Sequence, residues 1–193
     1  MSENMQQTLF EKQTVAEPPS SVVQVDPLVS KPFRVLDLFS GIGGFSLGLE
    51  RTGGFKTVAF CEIDPFCREI LNKHWPDVPI LGDIKSLKGD EIECDVITAG
   101  FPCQPFSTCG RERGTEDSRH LWPEVIRIVG TARPAWAIFE NVYGLIRLGL
   151  DIVQSDLERE GYNSRAVVLP SCATGKNHRR DRVFIVAHSV RGV

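Results

Sequence analysis

Residues 33–50, FRVLDLFSGIGGFSLGLE, restrict the fold of this chain more than any other stretch. A short β-rich apolar run, FRVLDLF, ends in the turn GIGG, and Phe45, Leu47 and Leu49 then recur among small and charged residues. That order predicts strand, glycine turn and helix. A second unit follows: the strand TVAFCEI, then a helix in DPFCREILNKHW with Asp64 as its N-cap and Pro65 in its first position, and Pro76 just beyond. GDI closes a short third strand at Asp83, and CDVITAG feeds a loop that opens on Pro102-Cys103-Gln104-Pro105. HLWPEVIRIVGTA predicts a helix in which Pro123 is tolerable only in the first turn. AWAIFENV is a strand with a polar end, DIVQSDLEREGY an amphipathic helix closed by Gly161, and SRAVVLP and RVFIVAH two late strands. Alternation of this kind predicts an α/β fold with a doubly wound, mainly parallel sheet. Ligands of such sheets collect beyond the C-terminal strand ends. Residues 41–44, Glu62, Asp83, Cys103 and Glu140 all stand at or just past a predicted strand end.

A length of 193 residues with 41% apolar content suits one such domain, at residues 32–193. Residues 1–31 are polar, carry Pro18-Pro19 and hold no sustained period, so they read as a flexible tail with a short helix near residues 5–12. No run reaches the roughly 18 apolar residues of a membrane span, and MSENMQQTLFEKQ lacks the apolar centre of an export signal. A cytoplasmic protein is expected. Cysteines 61, 67, 94, 103, 109 and 172 form no C-x-x-C pair and no metal-ligand spacing, so reduced thiols without a metal are expected. Net charge is −3, which by itself argues against nucleic acid, yet the halves differ. Residues 1–100 hold 9 Lys/Arg against 15 Asp/Glu, and residues 101–193 hold 13 against 10. The basic groups cluster in GRERGTEDSR and GKNHRRDR, which fits a phosphate-facing surface.

The glycine turn occupies the place of a nucleotide-binding turn, but Ser46 stands where a dinucleotide fingerprint would need its third glycine, and no G-K-[ST] follows. Glu62, about twenty residues on, can take ribose hydroxyls, and Asp83 can accept from an adenine amino group. Ribose and adenine contacts without a phosphate fingerprint suggest S-adenosyl-L-methionine. Cys103, stiffened by a proline on each side, is the candidate nucleophile and needs help to become a thiolate. Glu140, beyond an apolar strand, is the candidate acid, its carboxyl open to an upward shift by desolvation.

DLFSGIGG, EIDPFC, GDI, GFPCQPFS, FENV and HRRDRVFIVA stand in the order in which they occur in DNA cytosine-5 methyltransferases, and residues 33–188 resemble that family. The resemblance implies methyl transfer from S-adenosyl-L-methionine to C5 of cytosine in DNA. Cys103 would add to C6, Glu140 would engage ring N3, and release of Cys103 with loss of the C5 proton would restore the ring. The base would have to be flipped from the duplex. Arg180 and Arg182 match the family's two late arginines, which orient the flipped base and nearby phosphates. The resemblance further implies cofactor contacts at Phe39, Gly41, Gly43, Gly44, Glu62, Ile63, Asp83, Ile84 and Pro102. Substrate contacts are implied at Gln104, Ser107, Asn141, Arg180 and Arg182. Residues 110–119 match the loop that closes over DNA.

Two departures stand out. His178 replaces the glutamine that precedes the family's two arginines. The family's target-recognition region and its C-terminal Gly-Asn block do not occur in residues 1–193. Three accounts stand open: a fragment, one chain of a split enzyme whose second protein chain brings the rest, or a minimal enzyme of prokaryotic or phage origin. Other functions compete. A non-catalytic nucleotide- or partner-binding module predicts erosion at Cys103 or Glu140, and both are intact. An RNA cytosine-5 methyltransferase would use the same catalytic set. A dinucleotide oxidoreductase is opposed by Ser46, and a Cys103–Cys109 redox pair by a spacing that does not enforce disulfide geometry. The recognition sequence and the role, whether restriction, protection or regulation, are not legible.

Overall fold

The computed structural model describes residues 31–102, 121–175, 177 and 180–190. Residues 1–30 of the expected tail, Cys103, Gln104, Ser107, Cys109, residues 110–119 and His178 lie outside the described residues. Seven strands form one sheet: β1 (Phe33–Leu38), β2 (Phe55–Cys61), β3 (Ile80–Leu81), β4 (Val96–Ala99), β5 (Trp136–Val142), β6 (Tyr162–Pro170) and β7 (Asp181–Ser189). Their order is β3-β2-β1-β4-β5-β7-β6. The first five are parallel, and β7 runs antiparallel to both β5 and β6. The chain winds outward from β1 to β3 and then restarts at β4, so the topological switch falls between β1 and β4. Arg34 fixes the register there, its guanidinium donating to both oxygens of Asp95 at 3.0 and 2.8 Å.

The helices are α1 (Gly44–Glu50), α2 (Pro65–His74), α3 (Trp122–Ala132), α4 (Leu145–Leu148) and α5 (Leu150–Arg159). Asp64 caps α2 as expected, its side chain accepting from the Cys67 amide at 2.9 Å, with Pro65 first in the helix. Pro123 sits in the first turn of α3, where its missing N–H breaks no helical bond. The short α4 and the 3-10 turns at Ile84–Ser86, Gly89–Glu91 and Ser171–Thr174 were not foreseen; one turn is too short to register a period.

The core lies between the sheet and α3 and α5. Leu36, Ile97, Phe139 and Ile185 from the strands and Val125, Ile128, Val129 and Leu157 from the helices are fully buried. Strand β5 alternates, with Ala137, Phe139 and Asn141 buried and Trp136, Ile138, Glu140 and Val142 on the other face. That second face is covered by α1 and α2 over β1, β2 and β4, and α1 reaches Phe184 of β7 through Phe45, whereas Trp136, Val167, Leu169 and Val186 on it are exposed among the described residues. A hollow of about 260 Å³ on it is lined by Phe33, Phe55, Val96, Trp136 and Ile138.

Candidate active site

The glycine turn owes its shape to packing as much as to freedom. Phe39, Gly41 and Gly43 hold positive φ of 53°, 54° and 86°. A Cβ on Gly43 would lie 2.6 Å from the Trp75 ring at the end of α2, so this glycine lets α2 close on the turn. A Cβ on Gly41 or Gly44 would meet nothing within 4 Å; these two border open space. Glu62, just past β2, reaches back to the turn: Gly41 N–H donates to its Oε2 and Asp64 N–H to its Oε1, both at 2.8 Å. Asp83 caps the 3-10 turn after β3, its Oδ1 accepting from Lys85 N–H at 3.0 Å. Ile63 is exposed, whereas the Ile84 side chain belongs to the core.

The structure thus brings Phe39, Gly41, Gly44, Glu62, Ile63 and Asp83 to one sheet edge and gives Gly43 and Ile84 packing roles. Open space borders two glycines, and the two carboxylates at successive strand ends leave hydrogen-bond acceptors at this edge.

Across the switch, β4 leads through Gly100 and the buried Phe101 to Pro102. The Phe101 ring lies against that of Trp122, centroids 5.1 Å apart and planes tilted by 45°, and its carbonyl accepts from Asn141 Nδ2 at 3.1 Å. Asn141 is 3% exposed and its Oδ1 accepts from Val142 N–H. Its side chain therefore anchors the residue before Pro102 and lies on the face of β5 opposite Glu140.

Glu140, on the opposite face of β5, meets Arg182 of β7, with Nε 2.6 Å from Oε1. The apolar surroundings expected of this carboxyl are interrupted by a guanidinium. The pairing follows from the register: β7 sets Arg182 opposite Val142, one diagonal step from Glu140. A hollow of about 390 Å³ between α1 and β7 reaches Glu140 and is lined by Gly44, Phe45, Gly48, Leu49 and Phe184. Arg180 is exposed at the head of β7, and its carbonyl accepts from Ser171 N–H at 3.2 Å.

Two buried thiols are poor nucleophiles. Burial first, then the charges of Glu62 and Asp83, pushes Cys61 up to about 12, and burial followed by Asp95 pushes Cys94 up to about 11. Three site residues escaped sequence reasoning: Asp37, Ser46 and Thr98, all at most 1% exposed. Ser46 Oγ donates to Asp37 Oδ2 at 2.8 Å and Thr98 Oγ1 to Asp37 Oδ1 at 2.6 Å. The signal available was an acid inside the apolar run FRVLDLF and a serine in place of the third glycine.

Sheet order, the antiparallel last pair and the acid-flanked glycine turn define the fold class of the S-adenosylmethionine-dependent methyltransferases. The sequence profile described as C-5 cytosine-specific DNA methylase matches residues 33–191, and the chain belongs to that family. It is similar to the Type II methyltransferase M.HgiCII of Herpetosiphon aurantiacus, 42% identical over 164 residues, which cover 81% of this chain and 37% of the relative. The Type II methyltransferase M2.BsuMI of Bacillus subtilis is 35% identical over 163 residues, covering 80% of this chain and 41% of the relative. The crystal structure of the Dnmt2 methyltransferase of S. pombe superposes with a TM-score of 0.70 at 24% identity, over 83% of this chain and 52% of that one. The chain therefore spans about two-fifths of the length of these two curated relatives.

Proposed function

We propose that this chain is the catalytic and cofactor-binding portion of a cytosine-5 methyltransferase that acts on DNA. The observation that carries the reading is the Glu140–Arg182 pair, placed at the same sheet edge as the glycine turn and the Pro102 end of β4. S-adenosyl-L-methionine would be held by Phe39, Gly41, Gly44, Glu62, Ile63 and Asp83, and when bound it supplies an electrophilic methyl on a sulfonium. Glu62 accepts from ribose hydroxyls through lone pairs left beside its two backbone bonds. Asp83 accepts from the adenine amino group.

Cys103 follows Pro102 directly and is the nucleophile: its thiolate sulfur bonds to C6 of the cytosine and pushes electron density to C5 and N3. Glu140, protonated on the oxygen that Arg182 does not hold, donates its proton in a hydrogen bond to N3 and so offsets the negative charge that develops there. Arg182 holds Glu140 at Oε1 and fixes the direction of its other oxygen, while Arg180 faces DNA phosphates. After C5 is methylated, loss of its proton and cleavage of the Cys103–C6 bond restore the ring. Asn141 acts by holding the Phe101 carbonyl and hence the strand end that carries Pro102.

The exposed part of the second face favours a further polypeptide in the working enzyme, because Trp136, Val167, Leu169 and Val186 on it are the residue types that proteins cover. Transfer of a labelled methyl from S-adenosylmethionine to mixed-sequence DNA tests the reading. The native chain, alone or with such a polypeptide, is expected to label C5 of cytosine, and Cys103→Ala to label nothing. Label that is insensitive to Cys103→Ala, or that appears elsewhere than C5, overturns it.

A further inference from the structure

The proposed chemistry leaves one buried carboxyl unused. Asp37 is 1% exposed, inside β1 and beneath the glycine turn. Both of its oxygens are taken by hydroxyls that are themselves fully buried, Ser46 from the first turn of α1 and Thr98 from β4. Asp37 and Thr98 are register partners across the parallel β1–β4 pair, at the switch point of the sheet. Three polar side chains from three elements thus occupy a site where apolar ones would avoid the desolvation of a carboxyl.

What those elements carry differs. The segment between Asp37 and Ser46 is the whole turn, residues 39–44, and Ser40 Oγ returns to the Asp37 carbonyl at 2.6 Å. Thr98 stands one residue before the end of β4, three before Phe101. An apolar contact would hold these two ends loosely, since it has no direction. Two hydrogen bonds to one carboxyl give both ends a fixed angle about a common point.

We infer that Asp37 is a positioning residue that clamps α1 to β4, so that the cofactor-side turn and the strand end leading to Pro102 keep one relative geometry. The consequence for cofactor binding rests on the reading of the turn as the S-adenosylmethionine site; the clamp itself does not.

Amide hydrogen exchange of the unliganded chain tests the clamp without that reading. Thr98→Val removes one hydroxyl at nearly constant shape, at a residue that forms no part of the turn. It is expected to speed exchange of the Ser40, Gly41 and Gly43 amides about tenfold, leaving α2 and α5 unchanged. Thr98→Ser, which keeps the hydroxyl, is expected to restore the native rates. Ser46→Ala should in turn speed exchange at Gly100 and Phe101. A merely structural role would instead raise exchange throughout the domain in step with lost stability. Turn amides that ignore Thr98→Val, or a Thr98→Ser variant that fails to restore them, overturn the clamp. Affinity for S-adenosylmethionine, measured in parallel, should fall about tenfold in Thr98→Val. If exchange responds as expected while the native chain binds no cofactor, the clamp stands and the cofactor assignment falls.

Discussion

Single residues around the turn do different work although they look alike in sequence. Gly43→Ala forces a methyl to within 2.6 Å of the Trp75 ring at a φ of 86°, while Gly41→Ala meets only the conformational penalty. Urea unfolding should show a loss of about 3 kcal/mol for the first and about 1 kcal/mol for the second. Cofactor binding should show Gly41→Ala as the more damaging relative to its stability loss, because that glycine borders open space. Asp37 adds a pH signature. Burial pushes its carboxyl up to about 6, from an ordinary value of 3.8, against the opposing bonds from Thr98 and Ser46 and with Glu62 adding to the rise. A raised carboxyl binds its proton better in the folded state, so stability falls as pH rises between those two values and stays lower above them. Asp37→Asn is expected to flatten that part of the stability–pH curve. At Glu140, Glu140→Gln should lower methyl transfer by about 10²–10⁴-fold. It should change unfolding free energy by no more than about 1 kcal/mol, because the pair with Arg182 is partly exposed.

Elements meet through a few polar joints. Glu50, at the end of α1, accepts from Thr57 N–H of β2 and from Trp75 Nε1 beyond α2, both at 2.9 Å. Burial raises its carboxyl, but the bonds from Thr57 and Trp75 outweigh that and hold it below the ordinary carboxylate value. Its contribution is therefore present above the unfolded value and is lost as pH falls through the folded one. Trp75→Phe removes the bond to Glu50 and, with it, the outer indole atoms that lie over Gly43. Thermal unfolding at neutral pH should register about 2–3 kcal/mol, from the bond and the lost packing together, with a smaller difference in acid. Helix and strand existence was largely legible: the Asp64 cap, Pro123 in a first turn and the closing Gly161 are local chemistry. The Glu50 joint was not, since nothing local in GLERTGG announces a tryptophan 25 residues away.

At the scale of the whole molecule, one face of the sheet is packed by α3 and α5, and on the other, beyond the reach of α1, Trp136, Val167, Leu169 and Val186 are exposed among the described residues. Strand β6 is also an edge, with Val167 and Leu169 at 50% and 48% exposure. Exposed apolar edges promote pairing between chains. The chain by itself is expected to self-associate in sedimentation experiments, and Val167→Lys with Leu169→Lys to lessen this without lowering the melting temperature. No helix among the described residues is long and apolar enough to cross a membrane.

By itself, the sequence determined the succession of strands and helices, the doubly wound class, the glycine turn and the edge at which Glu62, Asp83 and Glu140 gather. Each of these follows from local signals: period, caps, turn residues, and the rule that ligands lie beyond parallel strand ends. The tertiary structure alone decided that Arg182 grips Glu140, that Asn141 turns inward to Phe101, that Gly43 is a glycine for the sake of Trp75, and that Asp37 joins Ser46 to Thr98. Those partners are up to 61 residues apart. They meet because strand register sets which side chains share a face, and register is fixed by packing of the whole sheet rather than by any one segment.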